Sequence, residues 1–500
     1  MKQNPSCSLL LSAALACLLL AACADSGDGT GTVDSTKTEE TSAVSVSAET
    51  EVLTPDLPEK DWEGKTFMVL GRDNDSYDQF DNFEIFSEGE TGETVNDAVF
   101  RRNTAIEEKY NVVIEQTLKD FPHEELAKSI NAGDHMYDLA FTELYYIGSC
   151  IQNGYFYNLN DVEYIDFSKP WWNADVNAEI SLGGKLYATT SDFSLRDKNR
   201  AYILVYNMDL ADSYDISDPV QTVRDGKWTV ELMTQYAKLF AQDLDGDGQL
   251  GGEKDMFGLT MDSYNSFTTF IIGCDNLFIT KDKDDNPVLS VSTEHTASSV
   301  DRVLGLTGDT SFSLFCNDFE VKTAGDMWAV ASTAFIEERA LFLTSFPHSL
   351  QTLSSRAEFD YGILPFPKFD EAQDTYYTLA DHLSMLFGIP VTSPDASFSG
   401  FMLEALSAAS TDTTLSAYYE IACKTKYSYN EASGEMLDLI FDGIRYDLSE
   451  IYGIDDINHI FTVTLPKKKE NILASEYTKA EKKAAEALKK LSDALSALDH

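Results

Sequence analysis

The sequence predicts an α/β protein made of two α/β units and a helical C-terminus. Short apolar runs alternate with helical spacing after residue 60, glycine or proline closes several runs, and a long amphipathic pattern ends the chain. Strands that alternate with helices pair into parallel sheets connected by crossover helices. About 440 residues follow residue 60, and at roughly 100–200 residues per domain they correspond to two or three compact units.

The first unit opens with residues 66–71 (TFMVLG), an apolar run ending in glycine that is typical of a buried strand. Residues 94–111 carry apolar side chains every three or four positions, which predicts a helix capped by Thr94. The same reasoning predicts a strand at 112–114, a helix at 124–130 and a strand at 137–141.

A second α/β unit is predicted to begin near residues 185–188 and to continue through 201–206. The apolar runs at 359–365 and 383–390 are predicted to be strands that return from helical stretches. The end of the chain has the clearest periodicity and predicts an amphipathic helix packed on the body of the protein. Its apolar stripe consists of Tyr477, Ala480, Ala484, Leu488, Leu491, Leu495 and Leu498.

The N-terminus is typical of an exported protein. Lys2 precedes the apolar run 9–20, which is too short to span a membrane and has the pattern of a signal peptide over residues 1–22. The letters LAAC place Cys23 as in the lipobox of bacterial lipoproteins, and cleavage beside an incidental cysteine is the alternative. Residues 24–60 lack aromatic side chains and predict a disordered spacer. We therefore expect a lipid-anchored protein on the outer face of the cytoplasmic membrane, with its folded body in residues 61–500.

Composition limits the partners. The net charge is −47, from 37 basic and 84 acidic residues, which argues against a nucleic-acid partner and against electrostatic binding to anionic lipid. Beyond Cys23, four cysteines remain without metal-ligand spacing, and we expect small buried side chains of them. They are Cys150, Cys274, Cys316 and Cys423.

Residues 243–249 (DLDGDGQ) form the sharpest local motif. Carboxylates at positions 1, 3 and 5, a glycine in the turn and a carbonyl donor at position 7 are typical of calcium loops. Lys254 occupies position 12, where an acidic ligand is expected, so an acidic turn without metal is the alternative. The predicted structural calcium ligands are Asp243, Asp245, Asp247, Gln249 and Asp255. We expect no catalytic cofactor.

Several short motifs follow one another in a characteristic order. They are RN with IEEKYN (102–111), YDLAF (137–141), GGKLY (183–187), VYNMDL (205–210), KWT with ELM (227–233) and FDYGILP (359–365). This series resembles the extracellular solute-binding proteins of ABC importers, particularly the carbohydrate-type, maltose-binding-like group. It spans residues 62–460, and residues 335–342 depart from it by lacking the usual glycine.

The resemblance implies a two-lobed periplasmic-binding-protein-like fold, with two α/β lobes joined by a hinge and a ligand cleft between them. The first lobe is expected to cover about 61–185 with a later return segment, and the second about 186–340 with C-terminal helical parts. Sugars need aromatic faces and planar polar groups, and strand ends supply them in such folds. Candidates are Glu143, Tyr145, Tyr146, Trp171, Trp172, Asp192, Arg196, Phe346, His348, Asp381 and His382.

The resulting hypothesis is a monomeric receptor that captures a mono- or oligosaccharide and delivers it to an ABC permease. Two alternatives remain open, a surface glycan-binding lipoprotein without import and a glycoside hydrolase. The sequence contains no GxSxG, HExxH or P-loop motif, so we do not expect an enzyme. The adjacent tryptophans are the strongest cleft candidates, because two neighbouring indoles on a strand would not both face one core.

Overall fold

The computed structural model describes residues 54–73, 82–248, 250, 254–318, 329–418 and 431–498. Cys23 and Gln249 lie outside the described residues. The strands are β1 (Lys65–Arg72), β2 (Val112–Lys119), β3 (Leu139–Glu143), β4 (Ile203–Asn207), β5 (Phe257–Met261), β6 (Ile279–Lys281), β7 (Pro287–Leu289), β8 (Ser313–Phe315), β9 (Ala340–Ser345), β10 (Tyr361–Leu364), β11 (Thr378–Leu379), β12 (Met385–Gly388) and β13 (Ile444–Arg445).

Helices connect and cover these strands. They are α1 (Thr94–Tyr110), α2 (Pro122–Ala132), α3 (Leu144–Gln152), α4 (Ala174–Ile180), α5 (Arg196–Asn199), α6 (Met208–Ser213), α7 (Pro219–Arg224), α8 (Val230–Phe240), α9 (Asn265–Gly273), α10 (Glu294–Thr307), α11 (Ala329–Ile336), α12 (Leu350–Arg356), α13 (Ala396–Ser410), α14 (Glu431–Asp442), α15 (Leu448–Ile451), α16 (Asp455–His459), α17 (Leu465–Lys468) and α18 (Leu473–Ser496). Within the described part of the chain, none of them is both long and apolar enough to cross a membrane.

The first lobe is built on a four-stranded sheet in the order β12-β3-β1-β2. β1 pairs in parallel with β2 and β3, starting at Lys65 opposite Val112 and at Val69 opposite Leu139. β12 returns from much later in the chain and pairs antiparallel with β3. The predicted parallel pairing with crossover helices is therefore confirmed for this lobe.

The second lobe contains a five-stranded sheet in the order β10-β4-β9-β5-β8. β5 is parallel to β8 and β9, whereas β4 is antiparallel to β9 and β10. This sheet begins at Ile203, later than the boundary expected near residue 185. The preceding segment still belongs to the first lobe, because Thr189 bridges to Phe387 of β12 and Phe193 lies in the first-lobe core.

Among the described residues, two segments that cross between the lobes lie beside each other. Residues 200–202 lead from the first lobe into β4, and residues 379–384 lead from β11 back to β12. Tyr202 N–H donates to Leu379 O at 3.3 Å, and Asp381 N–H donates to Arg200 O at 3.1 Å. We call residues 200–202 and 379–384 the crossing segments.

Most of the other predicted elements match, with shifted ends. β3 starts two residues later than predicted, and just before it Asp138 accepts the Met68 N–H through its side-chain Oδ2 at 2.9 Å. The Thr94 cap is wrong, since Thr94 is the first helical residue and Glu93 precedes it without a side-chain cap. Residues 185–188, where the second unit was expected to begin, contain no regular strand and only an isolated bridge at Lys185.

The C-terminal helix and the three described cysteines follow the predictions. α18 buries Leu473, Ala480, Ala484, Leu488, Leu491 and Leu495. Cys150, Cys274 and Cys316 are buried, and burial raises the pKa of the Cys150 thiol to about 12. Cys423 lies outside the described residues.

Candidate functional site: a cavity at the crossing segments

A cavity of about 420 Å³ opens where the two lobes and the crossing segments meet. Tyr145 reaches it from the first lobe, Asn265 and Thr268 from the second, and Asp381 and His382 from a crossing segment. The complete lining is Tyr145, Tyr202, Asn265, Thr268, Leu379, Ala380, Asp381, His382, Glu450, Asp455, Asn458, His459 and Thr462. The cavity therefore combines aromatic rings with carboxylate, amide and hydroxyl groups.

The crossing segments are joined by a buried ion pair at the cavity. Arg200 donates through Nη2 to Asp381 Oδ1 at 2.6 Å, and His382 Nδ1 lies 3.1 Å from Asp381 Oδ2. Asp381 Oδ1 also accepts the Leu383 N–H at 3.0 Å. Burial raises the pKa of Asp381, but the charges of Arg200 and His382 outweigh it and hold that pKa well below its usual range.

Phe346 and His348 stand behind this ion pair. The Arg200 guanidinium lies 4.5 Å from the Phe346 ring centre, and His348 Nε2 lies 3.4 Å from Arg200 Nη1. Burial and the neighbouring Arg200 charge lower the pKa of His348 to about 3, so its ring is neutral. Both were predicted ligand contacts, and in the structure they position Arg200 instead of lining the cavity.

On the first-lobe side, the predicted contact Glu143 does not line the cavity. Glu143, at the end of β3, forms a buried ion pair with Arg72, at the end of β1. Among the described residues, Glu143 Oε2 has no hydrogen-bond partner. The next turn begins α3, whose start is fixed by Leu144 N–H donating to Ser384 O at 2.9 Å. This bond ties the aromatic side chains of α3 to a crossing segment.

Of the two tyrosines at the start of α3, Tyr145 lines the cavity and the predicted contact Tyr146 does not. Tyr146 stacks on His123 with ring centres 3.7 Å apart, and Tyr145 meets Tyr146 edge-on at 5.0 Å. Tyr145 is 60% exposed and lines the cavity. Its ring is thus an available stacking surface, held in place by its neighbour.

No family model matches the sequence, and no curated protein matches it. Solved structures do. A cyclo/maltodextrin-binding protein in complex with maltotetraose has a TM-score of 0.53 at 12% identity, covering 87% of this chain and 99% of that one. A sugar transporter from Rhizobium etli in an open conformation has a TM-score of 0.54 at 15% identity, covering 87% and 100%.

UgpB from Mycobacterium tuberculosis in complex with glycerophosphocholine has a TM-score of 0.52 at 14% identity, covering 81% of this chain and 98% of that one. The chain has the two-lobed solute-binding fold. The similarity extends over nearly the whole of each matched chain. In this solute-binding fold the cavity at the crossing segments lies in the cleft between the lobes, so we call it the cleft cavity.

The tryptophan pair corrects the strongest site prediction. Trp171 and Trp172 are 2% and 3% exposed and belong to the first-lobe core. Their indole N–H groups donate to the two carboxylate oxygens of Glu404, at 3.1 and 2.9 Å. The expectation that they face the cleft is wrong, because one buried carboxylate on α13 lets both indoles enter the same core.

Asp192 and Arg196 are also structural in this arrangement. Thr411 donates its hydroxyl to Asp192 Oδ2 at 2.6 Å, which joins this segment to the residues after α13. Arg196 is 1% exposed and donates through Nη2 to Leu383 O at 3.2 Å. Neither lines the cleft cavity, although Arg196 supports the crossing segment that does.

The acidic loop brings three of its predicted ligands together. Carboxylate oxygens of Asp243, Asp245 and Asp247 lie within 4.8 Å of one another, and all three side chains are exposed. Asp243 also accepts backbone N–H groups from Gly246 and Gly248, at 2.6 and 2.8 Å, so the loop orders itself by turn bonds.

Asp255 corrects the predicted ligand set. It is fully buried, accepts the Leu244 N–H at 3.0 Å and does not belong to the three-carboxylate cluster. It anchors the base of the loop from inside the protein.

Sequence reasoning missed the contribution of the C-terminal segment to the cleft. Glu450, Asp455, Asn458, His459 and Thr462 come from α15, α16 and the π-helical turn that follows. Burial raises the pKa of Glu450 to about 7 against the opposing charge of His382, and Asn458 Nδ2 donates to Glu450 Oε2 at 3.3 Å. These residues show no motif, and only their polarity inside a helical stretch could have drawn notice.

Thr268 is a second missed residue. It is 5% exposed, it lines the cleft cavity, and its hydroxyl has no hydrogen-bond partner among the described residues. A buried hydroxyl without a partner costs free energy, which a ligand hydroxyl or carbonyl can recover.

A larger cavity of about 560 Å³ lies elsewhere in the first lobe. It is lined by Phe86, Ser87, Glu88, Gly89, Thr91, Asn96, Glu115 and Gln116. All of these residues belong to one lobe and none lies on a crossing segment, so this cavity lacks the two-sided arrangement of the cleft cavity.

Proposed function

We propose that this protein is an extracellular solute-binding receptor that captures a carbohydrate in the cleft cavity and delivers it to an ABC permease. One observation carries the proposal: the cavity takes side chains from both lobes and from the segment that joins them. A ligand that touches all three parts binds the closed arrangement better than the open one and shifts the population toward it.

The chemistry of the lining supports a sugar. Tyr145 offers an exposed ring for the apolar face of a pyranose, and Asn265, Asn458 and Thr268 offer neutral hydrogen-bonding groups for hydroxyls. The matched structures with maltotetraose and with glycerophosphocholine define two ligand classes to compare.

Small-angle scattering with and without a glycan panel tests this proposal, with glycerophosphocholine included. We expect a saccharide to reduce the radius of gyration, and calorimetry to give a matching affinity. If no saccharide produces compaction, the receptor proposal is wrong. Compaction only with the phosphodiester would contradict the carbohydrate part, and release of free sugar would point to a glycoside hydrolase.

A binding module without import is the remaining alternative. Such a module needs neither closure nor a permease, and an open platform would serve it. Binding without compaction would favour that alternative over the importer.

We further propose that Cys23 carries a lipid that holds the receptor on the outer face of the membrane. The signal-peptide pattern, the LAAC sequence and the spacer support it, since two or more acyl chains give stable anchoring. Cys23→Ser should release the protein into the medium, as fractionation and immunoblotting would show. Retention of this variant in the membrane fraction would contradict the anchor.

We also propose that the loop at Asp243, Asp245 and Asp247 holds a structural calcium ion. A ligand that binds only the folded state stabilises it, so calcium should raise the melting temperature of the parent protein relative to chelator. Asp245→Ala should remove that difference. An equal melting temperature of the parent in calcium and in chelator would exclude the metal.

A further inference from the structure

The charges that line the cleft cavity have one sign. Among the described lining residues, Asp381, Glu450 and Asp455 are acidic, and none is Lys or Arg. His382 and His459 contribute the two imidazole rings of this lining. The described lining therefore offers carboxylates to a ligand but no Lys or Arg side chain.

Arg200, which does not line the cavity, already forms an ion pair. Arg200 donates to Asp381 at 2.6 Å, and His382 lies 3.1 Å from the other oxygen of Asp381. Asp381 is therefore neutralised by its own neighbours. Glu450 and Asp455 differ, because neither forms an ion pair with any part of the chain that the structure describes.

Glu450 is held at the cavity by one weak contact, the 3.3 Å bond from Asn458. Asp455 is exposed at the first residue of α16. Thr268 faces the same cavity with its buried hydroxyl unsatisfied among the described residues. Two carboxylates and one hydroxyl therefore remain available to a ligand that brings hydrogen-bond donors.

We propose that the cleft cavity takes a saccharide carrying a protonated amino group, with the amine at Glu450 and Asp455. This inference rests on the proposed carbohydrate-receptor function and specifies its substrate class. An ammonium group supplies the positive charge and the donors that both carboxylates lack. The net charge of −47 adds a long-range attraction for a cationic ligand.

Other saccharide classes fit this lining less well. A uronic acid or sugar phosphate would bring a second negative charge to Glu450 and Asp455 with no described Lys or Arg in the lining to receive it. A neutral sugar would satisfy Thr268 and stack on Tyr145 but bring no positive charge to Glu450 and Asp455.

The test is calorimetry with matched oligosaccharides of one length and linkage. The probes are β-1,4-linked glucosamine oligomers, their N-acetylated forms, the corresponding glucose oligomers and a uronic acid oligomer, with α-linked sets measured in parallel. We expect the amine form to bind at least about tenfold more tightly than its N-acetylated counterpart, because it gains a charge-assisted contact. Raising the salt concentration should reduce this advantage.

Charge-removing variants locate the effect. Glu450→Gln and Asp455→Asn should each lower the ratio of amine to N-acetyl affinity, and the double variant should bring it close to one. Asp456→Asn is the matched control, because Asp456 is the next acidic residue, pairs with Lys483 at 2.8 Å and does not line the cavity. The control should keep the ratio of the parent.

The outcomes separate the two proposals. If a neutral, N-acetylated or anionic saccharide binds as tightly as the amine form and compacts the protein, the amino-sugar inference is overturned and the receptor function stands. An amine preference that survives in the double variant also overturns the inference. If no saccharide of any class binds, the proposed function itself fails.

Discussion

Two regions of this protein place aromatic rings beside a carboxylate, with opposite consequences. In the first-lobe core, Trp171, Trp172 and the Asp166 backbone donate to both oxygens of Glu404. In the cleft cavity, Tyr145 is exposed and Glu450 accepts a single long bond from Asn458. In the first group both indole N–H groups are already donated and the carboxylate accepts three bonds, whereas in the second the carboxylate accepts one. Unsatisfied polar groups, more than aromatic content, distinguish the proposed binding region.

The largest expected effect comes from removing the Glu404 carboxylate that accepts from Trp171 and Trp172. Glu404→Ala leaves two buried indole N–H groups and one part-buried backbone N–H without their acceptor, and each loss of a buried partner costs about 1–3 kcal/mol. We expect the free energy of unfolding to fall by about 4 kcal/mol, measured by urea denaturation. A change below about 1 kcal/mol would contradict the assignment of this cluster to the core.

The next largest effect is expected at Gly148 on α3. This helix begins beside the cleft cavity and packs against α15 further along. A Cβ at Gly148 would lie 1.9 Å from Ile451 O on α15. Gly148→Ala should therefore push α3 from α15 and lower the free energy of unfolding by about 2 kcal/mol.

Gly305→Ala on α10 is the matched control. A Cβ there meets no atom within 4 Å, so alanine should raise stability by about 0.5–1 kcal/mol through its higher helix propensity. Equal effects of the two substitutions would contradict the close approach of α3 and α15.

The pH dependence of stability gives a second test of the buried Glu404 carboxylate. Burial raises the pKa of Glu404 to about 7, although its hydrogen bonds oppose the shift. The folded state then binds more protons than the unfolded state between about pH 4.5 and pH 7. Stability should accordingly fall as the pH rises through this window.

Glu404→Gln isolates that contribution, because glutamine does not titrate. We expect the loss of stability between pH 5 and pH 8 to be smaller in this variant by about 1–2 kcal/mol. Denaturation at four pH values checks it, and parallel curves for the two proteins would show that Glu404 does not titrate as described.

The smallest effect belongs to the open region. Tyr145→Ala should weaken saccharide binding by about 1 kcal/mol through loss of a stacking face, with little change in stability because the side chain is 60% exposed. Leu239→Ala, at 61% exposure outside the cavity, should change neither. Unchanged affinity in Tyr145→Ala would remove that ring from the site.

The sequence predicted regular elements well where periodicity is local. β1, α1, β4 and α18 follow patterns contained in the elements themselves, and their positions match within a few residues. The Trp171–Trp172 prediction failed because the deciding partner, Glu404, lies more than 200 residues later. No local pattern can report which carboxylate will enter a core.

The cleft was predictable only in part, for a similar reason. Tyr145, Asp381 and His382 follow or precede strands, and strand ends point to the crevice of an α/β fold; all three line the cavity. Glu450 and Asp455 come from short C-terminal helices that reach the cavity by tertiary packing, so the sequence around them gave no indication.

If the lobes close on a ligand as proposed, they would rotate about an axis near the crossing segments. Atoms near a rotation axis move little, and atoms far from it move in proportion to their distance. Asp381 and His382, on a segment bonded to its neighbour through the Asp381 N–H and Arg200 O, would keep their places as the lobes turn. Tyr145 and Thr268, on opposite lobes, would approach each other. A ligand would therefore contact Asp381 and His382 in the open form and would contact the lobe residues only as the lobes close. Substitutions of Asp381 or His382 should change the initial binding step, and substitutions of Tyr145 or Thr268 should change closure.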